Sequence, residues 1–296
     1  MSHDWEDAFK RWAAPLSASE QQKCENAEGM VRKAISASEA LSKYDFRVFV
    51  QGSYKNNTNV RQNSDVDVCI CLADVFFSDF DFAAPYTREQ AGLVDAGYTY
   101  VEFKSDVEIA LKHYFGTAAV TRGNKAFDVH ANSYRVDADV VACFTHRRYG
   151  SSGGFTEGTE LRSDDGKSII NWPKQHHRNG VDKNTRTGSR YKKLARIFKG
   201  LRNKMNDEGI QAAEPIPSFL CECLIWNVPD SQMGASTLTE DVKSAIVYLY
   251  NNTKNEADCH EWGEVSELKY LFRAGQPWTY QQANQFLIAA WAYLGY

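Results

Sequence analysis

Two short stretches near the start of the chain decide the fold, Gln51-Gly52-Ser53-Tyr54 and Ser64-Asp65-Val66-Asp67-Val68-Cys69-Ile70-Cys71-Leu72. The second stretch alternates polar and apolar positions and contains β-branched residues, which predicts a strand. Asp65 and Asp67 are two positions apart, so both carboxylates leave the same face of that strand. Such a pair is typical either of a divalent-cation site, where the metal offsets the repulsion between the carboxylates, or of an exposed acidic face of a sheet.

The flanking segments favour phosphate chemistry over an acidic surface. Gly52-Ser53 follows a short predicted strand, Arg47–Val50; here the glycine lets the backbone approach a phosphate, and the serine adds a hydroxyl and an N–H. A second aspartate pair, Asp137 and Asp139, lies in another predicted strand, Tyr134–Phe144. Pairing of the two aspartate-bearing strands would add a third carboxylate, which is enough for a two-metal phosphoryl-transfer site.

The rest of the pattern separates an α/β half from a helical half. Around the aspartate strands it predicts helices at Ser19–Tyr44 and Ser105–Phe115, a hairpin strand at Ala126–His130 and a loop at Gly150–Gly166. Beyond about residue 174 it predicts helices, which begin near Ser189, Pro215, Thr239 and Thr279. The predicted fold class is therefore α+β, with an N-terminal mixed sheet and helices in residues 1–175 and a helical lobe in residues 176–296. A ligand cleft is expected at the seam.

A strongly basic segment lies at the start of the helical half. From Pro173 to Lys204 the chain carries eleven Lys or Arg residues and a single acidic residue. In the helix predicted to be capped by Ser189, the cations Lys192, Arg196 and Lys199 share one face, opposite an apolar stripe. This face suits the phosphates of a nucleotide or a nucleic acid, and the alternative is a solvated basic surface.

Composition limits the function classes. The chain has 296 residues, a net charge of −4 and no apolar run that could span a membrane. Its first residues form no signal sequence, and its seven cysteines, an odd number, fit a reducing compartment, so the cytoplasm is expected. We expect these cysteines in the core, and His176-His177 in contact with phosphate or backbone rather than with a metal.

Taken in order, the Gly52-Ser53 and Asp65/Asp67 motifs and Ala138-Asp139-Val140-Val141-Ala142 resemble the signature of the DNA polymerase β-type nucleotidyltransferase superfamily. Within it, the chain is similar to the cyclic GMP-AMP synthase and DncV-like enzymes of bacterial anti-phage systems, the CD-NTases. The similarity continues through Tyr191–Lys199 and Pro217–Glu222 and spans residues 20–294. One departure is Ala142, which stands where the family commonly has proline.

The resemblance implies a bilobed nucleotidyltransferase fold with the active site in the cleft between the lobes. It implies three carboxylates that bind two Mg²⁺ ions, or Mn²⁺ in their place, and that act in catalysis: Asp65, Asp67 and Asp139. Asp137 stays open as an alternative to Asp139. It also implies five residues in contact with nucleotide. Gly52 and Ser53 would hold the donor triphosphate, Lys199 and Ser218 would contact its phosphates, and Phe219 would stack on a base.

The implied activity is a template-free condensation of nucleoside triphosphates (ATP, GTP, UTP or CTP) into a cyclic di- or trinucleotide second messenger, with release of pyrophosphate. The family context implies anti-phage signalling with no membrane and no obligatory nucleic acid, but with a regulatory partner protein and a product-sensing effector encoded nearby. Two alternatives stay open. Addition of nucleotides to RNA ends is disfavoured by the net charge, and a non-catalytic nucleotide-binding scaffold is disfavoured by the presence of all three carboxylates.

Overall fold

The computed structural model describes residues 4–60 and 65–296, which form two compact units. The sheet unit comprises the described residues of 17–54 and 64–173, and the helical unit those of 1–16, 55–63 and 174–296. The division predicted after residue 175 differs from these units in two segments. Residues 1–16 and 55–63 group with the helices, and Phe9 of the first segment is fully buried in the helical core.

A mixed sheet forms the centre of the sheet unit. Its strands are β1 (Phe46–Gln51), β2 (Val66–Asp79), β3 (Val120–Arg122), β4 (Phe127–Val129), β5 (Ala138–Tyr149), β6 (Phe155–Arg162) and β7 (Ser168–Asn171). The order is β1-β2-β5-β4-β3, with β6 paired to β5 and β7 paired to β6. Strands β2 and β5 run parallel, and the other pairs are antiparallel. The predicted strands at the two aspartate motifs and the predicted β4–β5 hairpin are confirmed.

Helices cover one face of this sheet. They are α2 (Ala18–Ser36) and α4 (Tyr100–Phe115), and the single-turn α3 (Gly52–Asn56) follows β1. In α4, Phe103 packs against Phe144 of β5 with ring centroids 5.5 Å apart. Phe144 and Asp139 are five positions apart along β5, so the aspartate side chain leaves the opposite face of the sheet.

The helical unit has one continuous apolar core. Its helices are α1 (Glu6–Ala13), α5 (Pro173–Arg186), α6 (Arg190–Asp207), α7 (Ser218–Asn227), α8 (Leu238–Asn252), α9 (Glu256–Cys259) and α10 (Tyr280–Leu294). The predicted apolar stripe of α6 is confirmed, because its members are fully buried: Tyr191, Leu194, Phe198, Leu201 and Met205. Across residues 4–60 and 65–296, we find no helix with the length and apolar character that a membrane crossing needs.

Two predicted boundaries in the sheet unit are wrong. The helix expected to reach Tyr44 ends at Ser36, and turns follow in which the Ser42 hydroxyl donates to the Glu39 carbonyl. Serine side chains that bond the nearby backbone compete with helix formation in this way. The loop expected at residues 150–166 contains β6, which pairs with β5 over six residues. The strand forms a hairpin with β5 across residues 150–154, and the local pattern of the segment does not reveal this pairing.

The predicted N-cap of α6 is also wrong. Ser189 has a left-handed backbone, φ +67°, and its side chain makes no capping hydrogen bond. The first N–H groups of α6 bond instead to side chains from the end of α5: Tyr191 N–H donates to the Thr187 hydroxyl, and Lys192 N–H donates to Asn184 Oδ1. The helix start is therefore capped from the preceding helix, which the sequence rule for a single capping residue does not anticipate.

Candidate active site

Three carboxylates form a row across one face of the sheet, the face opposite α4. Asp67 of β2 is directly opposite Asp139 of the parallel strand β5, and Asp139 is directly opposite Asp128 of the antiparallel strand β4. Residues paired in this way share a face of the sheet and are close neighbours. Asp65 lies just before β2, on the same face as Asp67. The structure thus brings together the three carboxylates singled out from the sequence, Asp65, Asp67 and Asp139.

The electrostatics of this row favour a bound cation. Burial, a hydrogen bond with Asp128 and repulsion by Asp67, Asp128 and Asp65 raise the pKa of Asp139 to about 7. Burial and the charges of Asp137 and Asp128 likewise raise the pKa of Asp65 above its ordinary value. Each shift reflects burial first and then the repulsion between neighbouring negative charges, and a divalent cation among them would offset that repulsion.

The row is not a closed metal cage. In the part of the chain that the structure describes, no three His, Cys, Asp or Glu side chains converge closely enough to hold a metal by themselves. The Asp139 carboxyl is hydrogen-bonded to Asp128. Mg²⁺ characteristically takes one or two protein carboxylates and completes its shell with waters and substrate phosphates. The residues present therefore fit Mg²⁺ that arrives with a nucleotide, rather than a permanent structural ion.

Asp137 occupies a different environment from Asp139. Its carboxylate accepts a 2.6 Å hydrogen bond from the Ala131 N–H in the turn between β4 and β5, and its backbone carbonyl accepts from Val66 N–H. The residue precedes β5, which begins at Ala138. These contacts give Asp137 a part in the hairpin, and they distinguish the two aspartates between which the sequence left a choice.

Gly52 lies directly against the carboxylate row. Its φ is +65°, and a Cβ atom built on it would be 1.8 Å from Oδ2 of Asp67. The approach follows from strand pairing, since Gln51 at the end of β1 is opposite Asp67 of β2. A glycine is therefore required at this turn for both conformation and space. Ser53 is the next residue of α3 and is half-buried; its contact with a triphosphate stays a prediction.

Two of the three cations on the predicted basic face of α6 are buried, so that face is not a solvated surface at these positions. Lys199 is 3% exposed, and its ammonium is 2.5 Å from Oε2 of Glu222 and donates to the Thr58 hydroxyl at 3.1 Å. Arg196 is also buried, and its guanidinium donates to the backbone carbonyls of Ala13 and Asn57. Segments distant in sequence cover this side of the helix, so both cations already have protein partners.

One of the two adjacent histidines of the basic segment differs from the prediction. His176 is buried, and its Nε2 is 2.9 Å from Oε1 of Glu222, so this atom contacts a carboxylate side chain rather than the backbone. His177 is half-buried beside Lys55 and Lys192, and burial followed by these neighbouring positive charges lowers its pKa. Lys55 and Lys192 therefore provide positive charge near His177 that the sequence analysis did not assign to a role.

The start of α7 has the predicted form. Ser218 is the first helical residue, it is exposed, and Pro217 before it offers no side-chain cap. The free N–H groups of such a helix start favour an anion. Phe219 is half-buried between His176 and Trp278, at centroid distances of 5.9 and 6.0 Å. Their contacts with nucleotide remain predictions.

Asp128 is the residue that sequence reasoning missed. It lies between Phe127 and Val129, whose side chains are buried, so the alternation placed it in a predicted strand. Its relevance comes from its pairing partner, Asp139, which a single sequence does not reveal.

The prediction for the cysteines, in contrast, is confirmed, because all seven are buried and free of disulfides.

Comparisons with known proteins find similar sequences for both units of the chain. Residues 31–113 match the family model of the nucleotidyltransferase domain, and residues 178–295 match that of the cGAS/DncV-like nucleotidyltransferase C-terminal helical domain. The chain is 48% identical to a cyclic dipyrimidine nucleotide synthase of Legionella pneumophila, with 99% of both chains covered. It is 38% identical to a cyclic dipurine nucleotide synthase of Elizabethkingia meningoseptica, with 98% of both chains covered.

Solved structures give the same picture. The c-UMP-AMP synthase of Rhodothermus marinus, solved with Apcpp and Upnpp, superposes with a TM-score of 0.85 at 32% identity, covering 98% of this chain and 97% of that one. The cyclic dinucleotide synthase of Elizabethkingia meningoseptica, solved with GTP and Apcpp, superposes with a TM-score of 0.83 at 36% identity, covering 99% of this chain and all of the other.

Proposed function

Because the chain belongs to the cGAS/DncV-like nucleotidyltransferases, we propose that it condenses two nucleoside triphosphates into a cyclic dinucleotide and releases pyrophosphate. The observation that carries this proposal is the carboxylate row beside Gly52, in a chain whose relatives are named as cyclic nucleotide synthases over almost their whole length. Two relatives at 48% and 47% identity are named for dipyrimidine products, and the dipurine synthase is only 38% identical. We therefore favour UTP and CTP as substrates.

In the proposed reaction, a ribose hydroxyl attacks the α-phosphate of a bound triphosphate and pyrophosphate leaves. Mg²⁺, or Mn²⁺ in its place, would polarise the phosphate and lower the pKa of the attacking hydroxyl. Asp65 and Asp67 would hold the metals, together with Asp139, which we place nearest to the acceptor hydroxyl. A second condensation on the linear intermediate closes the ring.

Residues other than the carboxylates would bind the nucleotide and orient it. The backbone at Gly52 and the hydroxyl and N–H of Ser53 suit the phosphates of the donor, because both groups begin α3 beside Asp67. In the helical unit, Ser218 offers the exposed start of α7 to an anion, and the half-buried ring of Phe219 offers a surface for a base. These contacts contribute by positioning and by stabilising charge on the departing phosphates.

The cellular role follows from the same family membership. We propose that the product acts as a second messenger in the bacterial cytoplasm, where a separate effector detects it during anti-phage defence. The resemblance also supports a regulatory partner protein. No nucleic acid is needed for the reaction as written, since both substrates are mononucleotides.

A nucleotide panel tests the proposal. The purified protein is incubated with radiolabelled UTP, CTP, ATP and GTP, singly and in pairs, with Mg²⁺ and with or without RNA, and the products are treated with phosphatase. We expect a phosphatase-resistant cyclic product from the pyrimidine reactions, and none from an Asp65→Asn/Asp67→Asn variant. Products from purines alone would refute the pyrimidine preference. Extension of the added RNA would favour an RNA-tailing enzyme, and nucleotide binding without turnover would favour a scaffold.

A further inference from the structure

We infer that Glu222, together with Lys199, is a positioning residue that holds the segment after the Gly52-Ser53 turn. The inference rests on the proposed function, because it assigns this segment a part in nucleotide binding. It gives Lys199 an indirect role in nucleotide binding, in place of the phosphate contact that the resemblance implies. Four side chains of the helical unit carry it: Thr58, His176, Lys199 and Glu222.

Glu222 is the centre of a buried polar network. Its Oε2 accepts hydrogen bonds from the Thr58 hydroxyl at 2.6 Å and from the Lys199 ammonium at 2.5 Å, while Oε1 is 2.9 Å from Nε2 of His176. Lys199 also donates to the Thr58 hydroxyl, so these three residues form a closed triangle. Burial alone would raise the pKa of Glu222, but Lys199 and His176 hold it well below its ordinary value. The Glu222 carboxylate is therefore ionised, and each of its oxygens contacts at least one partner side chain.

Three consecutive residues of one segment are held by three different helices. Asn56 Oδ1 is 3.3 Å from Nδ1 of His177 on α5, the Asn57 carbonyl accepts from Arg196 on α6, and Thr58 bonds to both Lys199 on α6 and Glu222 on α7. Asn57 has a left-handed backbone with φ +53°, a conformation that asparagine tolerates better than most residues. The contacts on both sides of it fix this sharp change of direction.

The fixed segment is continuous with the proposed phosphate-binding turn. Helix α3 begins at Gly52 and ends at Asn56, so Ser53 is five residues from Thr58. A single turn of helix has little stability of its own, and its orientation depends on what holds its ends. Because the charge of Lys199 is neutralised by Glu222, the pair acts through Thr58 rather than as a free cation for phosphate. Buried ion pairs add little net stability, which agrees with a role in fixing one conformation.

The test compares two buried threonines of the same unit. Thr58→Val keeps the side-chain shape and removes the hydroxyl that joins the segment to Lys199 and Glu222. Thr253→Val is the matched control, because Thr253 is 1% exposed and its hydroxyl also makes two hydrogen bonds, to the Leu249 carbonyl and from Asn284. Both variants should lose similar amounts of thermal stability, which removes folding as the explanation of any difference.

Two readouts separate a positioning role from a structural one. Amide hydrogen exchange of residues 52–58 should be about tenfold faster in Thr58→Val and unchanged in Thr253→Val. The KM for nucleoside triphosphate should rise about tenfold in Thr58→Val alone, as expected when binding groups lose their fixed geometry. Equal exchange and equal KM in the two variants would overturn the inference. The exchange comparison needs no turnover, so it still decides the inference if the wild type makes no cyclic product.

A second substitution distinguishes the inference from direct phosphate contact by Lys199. Glu222→Gln keeps the Lys199 ammonium, and it frees that cation from its counter-charge. If Lys199 binds phosphate directly, Glu222→Gln should leave the affinity for a non-hydrolysable triphosphate unchanged or increase it. If the pair positions the segment, the affinity should fall by a similar factor to that in Thr58→Val. A variant that does not fold leaves the comparison of the two threonines as the deciding measurement.

Discussion

Replacing Gly52 by alanine tests whether the turn after β1 sets the position of the Asp67 carboxylate. The backbone at Gly52 has φ +65°, and an added Cβ would lie 1.8 Å from Oδ2 of Asp67. Gly92, in an exposed loop of the same unit, has φ +64° and no atom within 4 Å of such a Cβ. Gly92→Ala therefore reproduces the backbone strain of Gly52→Ala without the collision.

The structure gives the size of each effect. Alanine in a left-handed conformation costs about 1 kcal/mol in either variant, reduced by the lower entropy of the unfolded chain. The Asp67 carboxylate is the end of a side chain that can rotate, so the collision need not unfold the protein. To reach an ordinary contact of 3.4 Å, however, Oδ2 must move by roughly 1.5 Å. Misplacement of a reacting or ligating group by about 1 Å costs on the order of a hundredfold in rate.

The assay pairs thermal unfolding with the rate of nucleotide condensation at saturating Mg²⁺ and nucleotide. We expect the two variants to differ by less than about 1 kcal/mol in unfolding free energy. Gly52→Ala should lose about a hundredfold in kcat, while Gly92→Ala stays close to the wild type. Wild-type activity in Gly52→Ala would refute the assignment of this turn, and an equal loss in Gly92→Ala would show that backbone strain alone is responsible.

Four further predictions concern the carboxylates. Asp65→Asn with Asp67→Asn should leave the protein folded by circular dichroism but abolish condensation, because like charges are removed while the metal-binding oxygens are lost. Asp139→Asn should abolish activity and Asp137→Asn reduce it modestly; the reverse ranking would exclude Asp139 as the third ligand. In EDTA, the wild type should lose stability as pH rises from about 4 through about 7, since the folded state keeps the Asp139 proton over that range, and Asp139→Asn should lack this slope in thermal unfolding. Asp128→Asn should lower the pKa of Asp139 and shift the acidic limb of the kcat/KM–pH profile to lower pH; an unmoved limb would contradict the coupling of the two residues.

Local periodicity was enough to predict much of the fold. The alternation through Val66 and Val68 located β2, and the spacing of Tyr191, Leu194 and Phe198 located the buried stripe of α6. Both patterns act within one element, so a single sequence contains them. Strand β6 was missed because its formation depends on hydrogen bonds to β5, which a scan of residues 150–166 cannot reveal.

The misassigned environment of Lys199 has the same origin. Helical spacing correctly placed it opposite the apolar stripe, but it does not show what covers that face. In the structure, Glu222 and Thr58 cover it, and they come from elements 23 residues later and 141 residues earlier in the chain. A charged residue opposite a core stripe was therefore read as exposed, although tertiary contacts had supplied it with a counter-charge.

Under the proposed function, metal binding and nucleotide binding at the carboxylate row are coupled to the loss of the Asp139 proton. Burial and the neighbouring carboxylates raise the pKa of Asp139 to about 7, so this carboxyl is partly protonated near neutral pH, and they raise the pKa of Asp65 above its ordinary value. Positive charge placed among these carboxylates favours their ionised forms. Because Mg²⁺ completes its coordination with substrate phosphates, that charge comes most effectively with a triphosphate. The proposed reaction needs Asp139 in its ionised form. Binding of the substrate with its metal then favours that form, so the site reaches its reactive state when the substrate is bound.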